Sequence, residues 1–175
     1  MGKGMIPVDF ESIYNEYFPK VYNYLYYRLL NRDQTDDLVS EVFTRAFEKL
    51  DSYDPDKGAI STWIFTIARN VLTDSFRRRR QVLPLDDQAM EISSGEDVEL
   101  AYIKSEERKA LHRELVKLSD LEREVIGMKF FQEKTNRKIA SELNMNESTV
   151  SSTVYNTVRK LRKGLAQWEE GMVAL

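Results

Sequence analysis

The chain has no cysteine, one histidine, four prolines and seven glycines among its 175 residues. Without thiols it can form neither disulfide bonds nor thiolate metal sites, and the absence suits a reducing cytoplasm, where we expect the protein to act. The scarcity of proline and glycine favours helices over a turn-rich sheet protein. No apolar run approaches the roughly 18 residues of a membrane span, and residues 1–8 lack a signal-peptide pattern, so we expect no membrane insertion.

Residues suited to enzyme chemistry are also scarce. The one histidine, His112, lies on a polar stretch of a predicted helix, where we expect a surface or intrahelical role. There is no glycine-rich phosphate loop, nucleophile elbow or metal-ligand spacing. Asp36, Asp37 and Glu41 lack a histidine or further converging acids, so a solvated helix face fits them better than a metal site. We therefore expect no enzyme activity, no metal and no cofactor.

The net charge of −3 argues at first against a nucleic-acid partner. The charges are unevenly spread, however. Residues 1–80 are balanced, and residues 81–105 are acidic, with Lys104 as their only basic residue. Basic residues cluster at Arg77–Arg80 and Arg159–Lys163. Because local patches decide phosphate affinity more than the total charge does, these two clusters keep nucleic-acid binding open.

The first part of the chain shows helical periodicity of its apolar residues. The predicted elements are a helix at 9–30 that Pro19 should kink or interrupt, a turn at 31–35, a helix at 36–50, a loop at 51–58, and a helix capped by Ser61 or Thr62 that runs into Arg77–Arg80. In the second helix, Leu38, Val42, Phe43, Ala46, Phe47 and Leu50 form one apolar stripe.

The pattern stops at residues 81–97, where Pro84, paired acids and Ser93-Ser94-Gly95 indicate a flexible acidic linker. Helical periodicity returns at Val98 and continues through further helices near 121–131, 135–143 and 146–168. The sequence thus predicts an all-α protein with two small helical domains, at 1–80 and 98–175, joined by this linker.

The strongest local pattern lies at residues 135–161. Thr135 is a good N-cap for a short helix, and Asn144-Met145-Asn146 forms a tight turn. A longer helix follows, whose buried face we predict to be Val150, Val154, Val158, Leu161 and Leu165. This is the spacing of a helix-turn-helix. On the pattern alone, two amphipathic helices of an ordinary bundle remain an alternative.

The longer helix presents polar residues on its outer side. Hydroxyls and an amide can contact base edges in the major groove, and the later basic residues can hold phosphates. The predicted DNA-contacting residues are Thr149, Ser151, Ser152, Tyr155, Asn156, Arg159 and Lys160.

This half of the chain resembles region four of sigma factors. The matching stretches are Leu118-Ser119-Asp120-Leu121-Glu122-Arg123-Glu124-Val125-Ile126, Lys138-Ile139-Ala140-Ser141-Glu142-Leu143 and Thr149-Val150-Ser151-Ser152. Asn144 replaces the family's turn glycine, and Ser151, Ser152 and Asn156 stand where arginine is common. The resemblance implies a domain that binds the minus-thirty-five element and the polymerase β flap.

Asp36-Asp37-Leu38-Val39-Ser40-Glu41-Val42-Phe43 resembles the family's region-two helix that grips the β′ clamp helices of core polymerase, with Ser40 in place of glutamine. The resemblance implies that Asp37, Leu38, Glu41 and Phe43 bind polymerase.

Ser61-Thr62-Trp63-Ile64-Phe65-Thr66-Ile67-Ala68-Arg69-Asn70 resembles the family's promoter-melting helix, which holds an extruded base of the minus-ten element. The implied DNA-binding residues are Trp63, Arg69, Asn70, Arg77, Arg78, Arg79 and Arg80. Cationic and polar surfaces suit single-strand binding. Trp63, spaced helically with Ile67, fits the core better than base stacking, and the arginines could simply be a solvated helix end.

Both motifs in this order resemble the small extracytoplasmic-function (ECF) sigma factors. The implied function is to direct core RNA polymerase to promoter DNA and to assist melting, with an anti-sigma factor as regulator. The alternative is a stand-alone helix-turn-helix regulator with an N-terminal sensor domain.

Overall fold

The computed structural model describes residues 9–82 and 106–173, apart from the side chains of 80–82 and 169–173. All regular elements in these two ranges are helical, which confirms the all-α prediction. They are α1 (Phe10–Leu29), α2 (Arg32–Lys49), a 3-10 turn (Leu50–Ser52), α3 (Ile60–Val82), α4 (Glu106–Val116), α5 (Asp120–Phe130), α6 (Asn136–Leu143) and α7 (Glu147–Val173). The predicted linker begins inside α3, and its remainder lies outside the described residues.

The described residues form two compact units. The first contains residues 9–25 and 33–82, and the second contains residues 26–32 and 106–173. In the first unit, α1, α2 and α3 each bury one apolar stripe at helical spacing. The buried residues are Ile13, Tyr17, Val21, Tyr24 and Leu25 of α1, Leu38, Val39, Val42, Phe43 and Ala46 of α2, and Ile64, Phe65, Ile67, Ala68, Val71 and Leu72 of α3.

The sequence predicts that Pro19 kinks or interrupts α1, and the structure shows no interruption, because the helix is continuous from Phe10 to Leu29. A proline inside a helix costs about 3 kcal/mol because it removes a hydrogen bond and crowds the preceding turn. Tyr17 and Val21, on either side of Pro19, are both buried. Packing of this apolar stripe therefore holds the helix together through the proline.

The predicted turn at 31–35 is wrong, because α2 already begins at Arg32. The chain reverses within Leu30 and Asn31, and Leu30 takes a left-handed backbone conformation with φ 51°. This conformation is unfavourable for leucine, but the side chain is buried at 4% exposure. Burial of Leu30 thus supports a turn that is shorter than its polar sequence indicates.

The predicted capping of α3 by Ser61 or Thr62 is also wrong. The helix begins at Ile60, and the Trp63 amide donates to the Ala59 carbonyl at 3.1 Å. Ser61 and Thr62 therefore lie inside the first turn of α3, so neither of them is its N-cap.

The second unit contains the predicted helix-turn-helix. Thr135 caps α6 by accepting from the Lys138 amide at 3.2 Å, and Asn144 takes the left-handed conformation with φ 52°. Asparagine tolerates this conformation better than most residues with a side chain. One apolar cluster joins the motif to α5, and it comprises Val125, Met128, Ile139, Ala140 and Val150, with Leu143, Met145 and Val154 at its edge.

His112 is buried at 2% exposure, so the expected surface or intrahelical role is wrong. Its Nδ1 lies 2.9 Å from the hydroxyl of Tyr26, which belongs to the same unit. His112 precedes the buried Leu115 by three residues and therefore shares its side of α4. That spacing was a signal for burial, but the polar neighbours in sequence concealed it.

Arg123 stabilises the turn between α4 and α5. Its side chain is buried, and its guanidinium donates to the carbonyls of Leu118 at 2.7 Å and Leu115 at 3.3 Å. It also pairs with Asp120 at 2.5 Å. One buried cation thereby links two backbone acceptors of the α4–α5 connection, of which the Leu115 carbonyl also accepts from the Leu118 amide at 3.1 Å.

Replacing Glu133 with glycine should stabilise the second unit. Glu133 is exposed and has φ 52°, a conformation that costs a non-glycine residue about 1–2 kcal/mol. Part of this gain is lost to the greater freedom of glycine in the unfolded chain, so we expect a net gain of about 0.5–1 kcal/mol. Urea unfolding measures it.

The matched control is Ala166→Gly, at an exposed position inside α7. There glycine should destabilise by about 1 kcal/mol. Equal losses for both glycine variants would show that the backbone at Glu133 carries no strain.

Candidate functional site

All of the residues predicted to contact the minus-thirty-five duplex lie on the outer face of α7. Val150 and Thr157 are fully buried and so fix the rotation of the helix. The exposed residues are Thr149, Ser151, Ser152, Tyr155, Asn156, Arg159 and Lys160. Of the predicted buried face, Val150 is buried, and Val154, Val158, Leu161 and Leu165 are half-buried. Thr157 was missed, although it lies seven residues after Val150, at helical spacing.

The exposed residues of α7 differ in how far they are already engaged. Among the described residues, no hydrogen-bond partner faces Ser152 or Asn156, so both side chains remain available to a ligand. The guanidinium of Arg159 lies 5.8 Å from the ring centre of Tyr155. Such cation–π contact orients the arginine without removing its hydrogen-bond donors.

Lys160 is paired with Glu122 of α5, Nζ to Oε1, at 2.5 Å. Burial raises the pKa of Glu122, but hydrogen bonds from Lys160 and Ser119 and the charge of Lys160 together lower it below its usual value. Glu122 is therefore a carboxylate at neutral pH, and a phosphate must compete with it for Lys160. The two residues are 38 apart in sequence, so the pairing could not be predicted.

A polar stripe runs along α3. Thr62, Thr66, Asn70, Thr73 and Arg77 are exposed and follow one another at three- or four-residue steps, so they share one face of the helix. The threonine hydroxyls of this stripe are partly used: Thr66 donates to the Thr62 carbonyl at 2.7 Å and Thr73 donates to the Arg69 carbonyl at 2.8 Å. The amide of Asn70 has no hydrogen-bond partner among the described residues. The sequence prediction missed the three threonines, which the same spacing would have found.

The arginine run at the end of α3 does not form a single patch. Arg77 is 70% exposed on the Asn70 face, with Asp74 at 3.9 Å. Arg78 points to α2 and pairs with Glu41 at 3.3 Å. Arg79 is exposed but turned away from the Asn70 face, and the side chain of Arg80 lies outside the described set. Among the described arginines of the run, Arg77 is the one that shares a face with Asn70.

Trp63 and Arg69 are each half-buried. The Trp63 ring lies 5.3 Å from the ring of Tyr53 in a tilted arrangement. Tyr53 in turn donates to the Gly58 carbonyl at 3.0 Å. Trp63 therefore packs against the loop before α3 and keeps part of its ring accessible.

The residues expected to bind polymerase separate into two groups. Leu38 and Phe43 are buried at 7% and 5% exposure and belong to the core of the first unit. Asp37 is exposed and Glu41 is half-buried. Glu41 pairs with Arg45 at 2.5 Å as well as with Arg78. Asp37 and Glu41 are therefore the two members of the set that a partner can reach.

Phe47 is not part of the buried stripe of α2, contrary to the prediction, because it is 65% exposed. It contacts Phe10 of α1 edge-on, with 5.1 Å between ring centres. Helical spacing places it on the outer face with Ser40 and Thr44. An exposed aromatic side chain on a mostly polar helix face is a common feature of protein-binding surfaces.

Within the described residues, no helix is long and apolar enough to span a membrane. The same residues contain no group of three or more histidine, cysteine, aspartate or glutamate side chains placed to hold a metal ion.

Two family models match the chain in the order of these two units. Sigma-70 region 2 matches residues 13–82, which include α2 and the polar stripe of α3. Sigma-70 region 4 matches residues 108–161, which include the helix-turn-helix. The chain belongs to the sigma-70 family. As a sigma factor, it directs core RNA polymerase to specific promoters and assists promoter melting at transcription initiation.

Curated relatives place this sigma factor among the ECF type. It is 28% identical to ECF RNA polymerase sigma factor RpoE of Cereibacter sphaeroides, over 90% of this chain and 86% of the relative. It is 28% identical to SigW of Bacillus subtilis, over 89% and 88% of the two chains. It is 29% identical to SigX of Bacillus subtilis, over 94% and 87%. The alternative of a stand-alone regulator is not favoured.

Solved sigma factors share the fold. The sigma factor RpoE from Bartonella quintana, in complex with the anti-sigma factor NepR, aligns with a TM-score of 0.65 at 21% identity, covering 90% of this chain and 97% of that one. CnrH in complex with the cytosolic domain of CnrY aligns with a TM-score of 0.57 at 23% identity, covering 90% and 88%.

Proposed function

We propose that the polar stripe of α3 binds the separated minus-ten strand and that the outer face of α7 reads the minus-thirty-five duplex. The observation that carries the first assignment is the position of Asn70. The side-chain amide of Asn70 shares one exposed face with Arg77. The amide can form hydrogen bonds with a base edge while the guanidinium contacts the phosphate backbone of the same strand. Promoter-opening kinetics of Asn70→Ala test it. The polymerase carries out the chemistry of transcription, so the sigma factor needs no catalytic group. We propose that it acts in the cytoplasm, together with the polymerase.

In the second unit, Asn156 and Arg159 have different roles. We expect Asn156→Ala to change the preference at one or two upstream base pairs, at a cost of about 1–3 kcal/mol for a direct base contact. We expect Arg159→Ala to weaken all promoters alike and to flatten the salt dependence, because a phosphate contact carries no sequence information. Selection from a randomised upstream library with reconstituted holoenzyme measures both.

Lys160→Ala is the comparison for Arg159→Ala. Because Lys160 is already paired with Glu122, removal of the Lys160 side chain should weaken DNA binding less than removal of the Arg159 side chain does. An unchanged base preference in Asn156→Ala would remove Asn156 from the set of base-reading residues.

The polymerase-binding surface is the outer face of α2. We expect Asp37→Arg to leave the fold intact and to weaken core-polymerase binding by about tenfold or more, because like-charge contacts at an interface cost several kcal/mol. Glu41→Arg should weaken binding too, but it also places a third cation beside Arg45 and Arg78. Glu41→Gln avoids that repulsion. Pull-down affinity, with circular dichroism as the folding check, measures the effect.

Glu48→Arg is the matched control, since Glu48 is an exposed acid on α2 outside the matched motif. If folded Asp37→Arg and Glu41→Gln bound polymerase as tightly as wild type, α2 would not be the docking helix.

The β flap of polymerase is proposed to bind an apolar groove in the second unit. The groove has a volume of about 280 Å³, and its lining includes Ile126, Phe130, Val158, Leu161 and Leu165. Phe130 is 55% exposed, so the groove reaches the surface. Exposed apolar patches of this kind commonly bind protein partners.

We also propose that an anti-sigma factor regulates this sigma factor. The Bartonella relative is in complex with the anti-sigma factor NepR. Such a partner would inhibit by covering one of the polymerase-binding surfaces described above.

A further inference from the structure

The hydroxyl of Ser151 is held from two sides, although the residue lies on the exposed face of α7. It donates to the Glu147 carbonyl, one turn earlier in the same helix, at 2.9 Å. It accepts from Nδ2 of Asn136 at 2.9 Å. Asn136 is the first residue of α6, so this bond joins the two helices of the helix-turn-helix.

These two bonds decide what Ser151 can offer to DNA. A serine hydroxyl has one proton and two lone pairs. The proton is used on Glu147 and one lone pair is used on Asn136, which leaves a single lone pair. With the opposite orientation of the Asn136 amide, its Oδ1 and the Glu147 carbonyl would share the one proton, so the hydroxyl would still offer only lone pairs to a ligand. Toward a ligand, Ser151 is therefore a hydrogen-bond acceptor.

An acceptor can distinguish between base edges in the major groove. Adenine N6 and cytosine N4 are amino donors there, whereas guanine O6 and N7 and thymine O4 are acceptors. We propose that Ser151, oriented by Asn136, selects an amino-bearing base, adenine or cytosine, on the strand that it contacts. The inference rests on the proposed role of α7 in reading the upstream element. Ser151 is then a specificity-determining residue and Asn136 a positioning residue.

Ser152 provides a matched control in the next position of the helix. It is also exposed, but no side-chain hydrogen bond holds its hydroxyl among the described residues. Because that hydroxyl can rotate, it can donate to one base and accept from another. It should impose no preference between amino and keto bases.

The first experiment is selection of upstream sequences with holoenzyme reconstituted from this protein and core polymerase. Wild type should prefer adenine or cytosine at one position of one strand. Ser151→Ala should abolish that preference and reduce initiation at preferred promoters roughly three- to tenfold, the effect of one neutral hydrogen bond. Asn136→Ala should weaken the preference for adenine or cytosine without reversing it, because the hydroxyl proton stays on the Glu147 carbonyl while the bond that orients the oxygen is lost. Ser152→Ala should leave the preference intact.

The second experiment removes the amino group from the DNA. At the preferred position, purine replaces adenine, or 2-pyrimidinone replaces cytosine. Wild type should lose roughly three- to tenfold in promoter affinity, and Ser151→Ala should lose nothing further. This comparison tests whether Ser151 accepts a hydrogen bond from the amino group, and it does not depend on the folding of Asn136→Ala.

Equal losses in wild type and Ser151→Ala on the analogue would overturn the inference. So would a preference for guanine or thymine at the position that Ser151→Ala alters. If wild type and Ser151→Ala selected the same upstream sequences, the inference about Ser151 would be overturned, but the proposed role of α7 would stand. A holoenzyme that initiates at promoters without any upstream selection would overturn the proposed role of α7 as well.

Discussion

Asn70→Ala should slow promoter opening by roughly tenfold and relax the base preference at one minus-ten position. A base leaves its stack when pocket contacts offset an unstacking cost of a few kcal/mol, and loss of one base-edge contact removes about 1–3 kcal/mol of that compensation. The amide of Asn70 is exposed and has no hydrogen-bond partner among the described residues, so its removal should spare the fold. Permanganate footprinting of the holoenzyme on duplex promoters measures the opening rate.

A template that is already mismatched across the bubble separates opening from binding. Asn70→Ala should regain much of its activity there, because unpairing no longer has to be driven. The control is Thr66→Ala, on the same face, whose hydroxyl already donates to the Thr62 carbonyl. If Asn70→Ala opened duplex DNA as fast as wild type and kept the same base preference, Asn70 would not contact the minus-ten base. It would then be an ordinary polar residue on an exposed helix face.

Arg77→Ala should behave differently from Asn70→Ala, because a cation on the strand backbone reads no sequence. It should slow opening on all promoters, most strongly at low salt, because loss of one phosphate contact flattens the salt dependence. The pair Arg78→Ala with Arg79→Ala should slow opening less than Arg77→Ala does, since Arg78 is paired with Glu41 and Arg79 lies away from the stripe.

Arg123→Ala should destabilise the second unit by about 2–5 kcal/mol, as expected when a large buried side chain is truncated and backbone acceptors lose a charged donor. The substitution leaves the carbonyls of Leu115 and Leu118 without their shared donor and also opens a cavity. Arg123→Met retains most of the side-chain volume, so it separates the lost hydrogen bonds from the lost packing. Arg113→Ala, at an exposed position on α4, should change stability by less than about 0.5 kcal/mol.

Unfolding of the second unit can be followed separately, because the protein has two tryptophans and they lie in different units. In a Trp63→Phe background, Trp168 fluorescence during urea unfolding reports on α7. A loss below about 1 kcal/mol for Arg123→Ala would show that the guanidinium network is not an anchor of the α4–α5 turn.

Helical periodicity predicted most of the fold. The core residues Val21, Val42 and Val71 and the helix-turn-helix with Asn144 at its turn all followed from three- and four-residue spacing or from local turn chemistry. Three departures from the sequence predictions have a shared physical cause. Packing keeps α1 continuous through Pro19, buries Leu30 in a left-handed turn, and encloses His112 beside Tyr26.

The candidate sites were predicted as sets of residues, but their internal pairing was not. Arg78 with Glu41 and Lys160 with Glu122 are pairs separated by 37 and 38 residues, and helix spacing gives no information at that distance. The same holds for Asn136 and Ser151, which the turn of the helix-turn-helix brings together. These pairings decide which basic groups and hydroxyls remain available to DNA, so the structure refines sets that the sequence could only outline.

The most direct test of the central claim is transcription in vitro with purified bacterial core polymerase and a promoter library. The account predicts that core polymerase alone initiates without selectivity, and that adding this protein yields transcripts from a restricted set of promoters with shared minus-thirty-five and minus-ten elements. Asn70→Ala should reduce those transcripts on duplex templates and recover on pre-melted ones. Specific binding to duplex DNA without polymerase, together with no gain in promoter-selective initiation, would contradict the account and identify a stand-alone regulator instead.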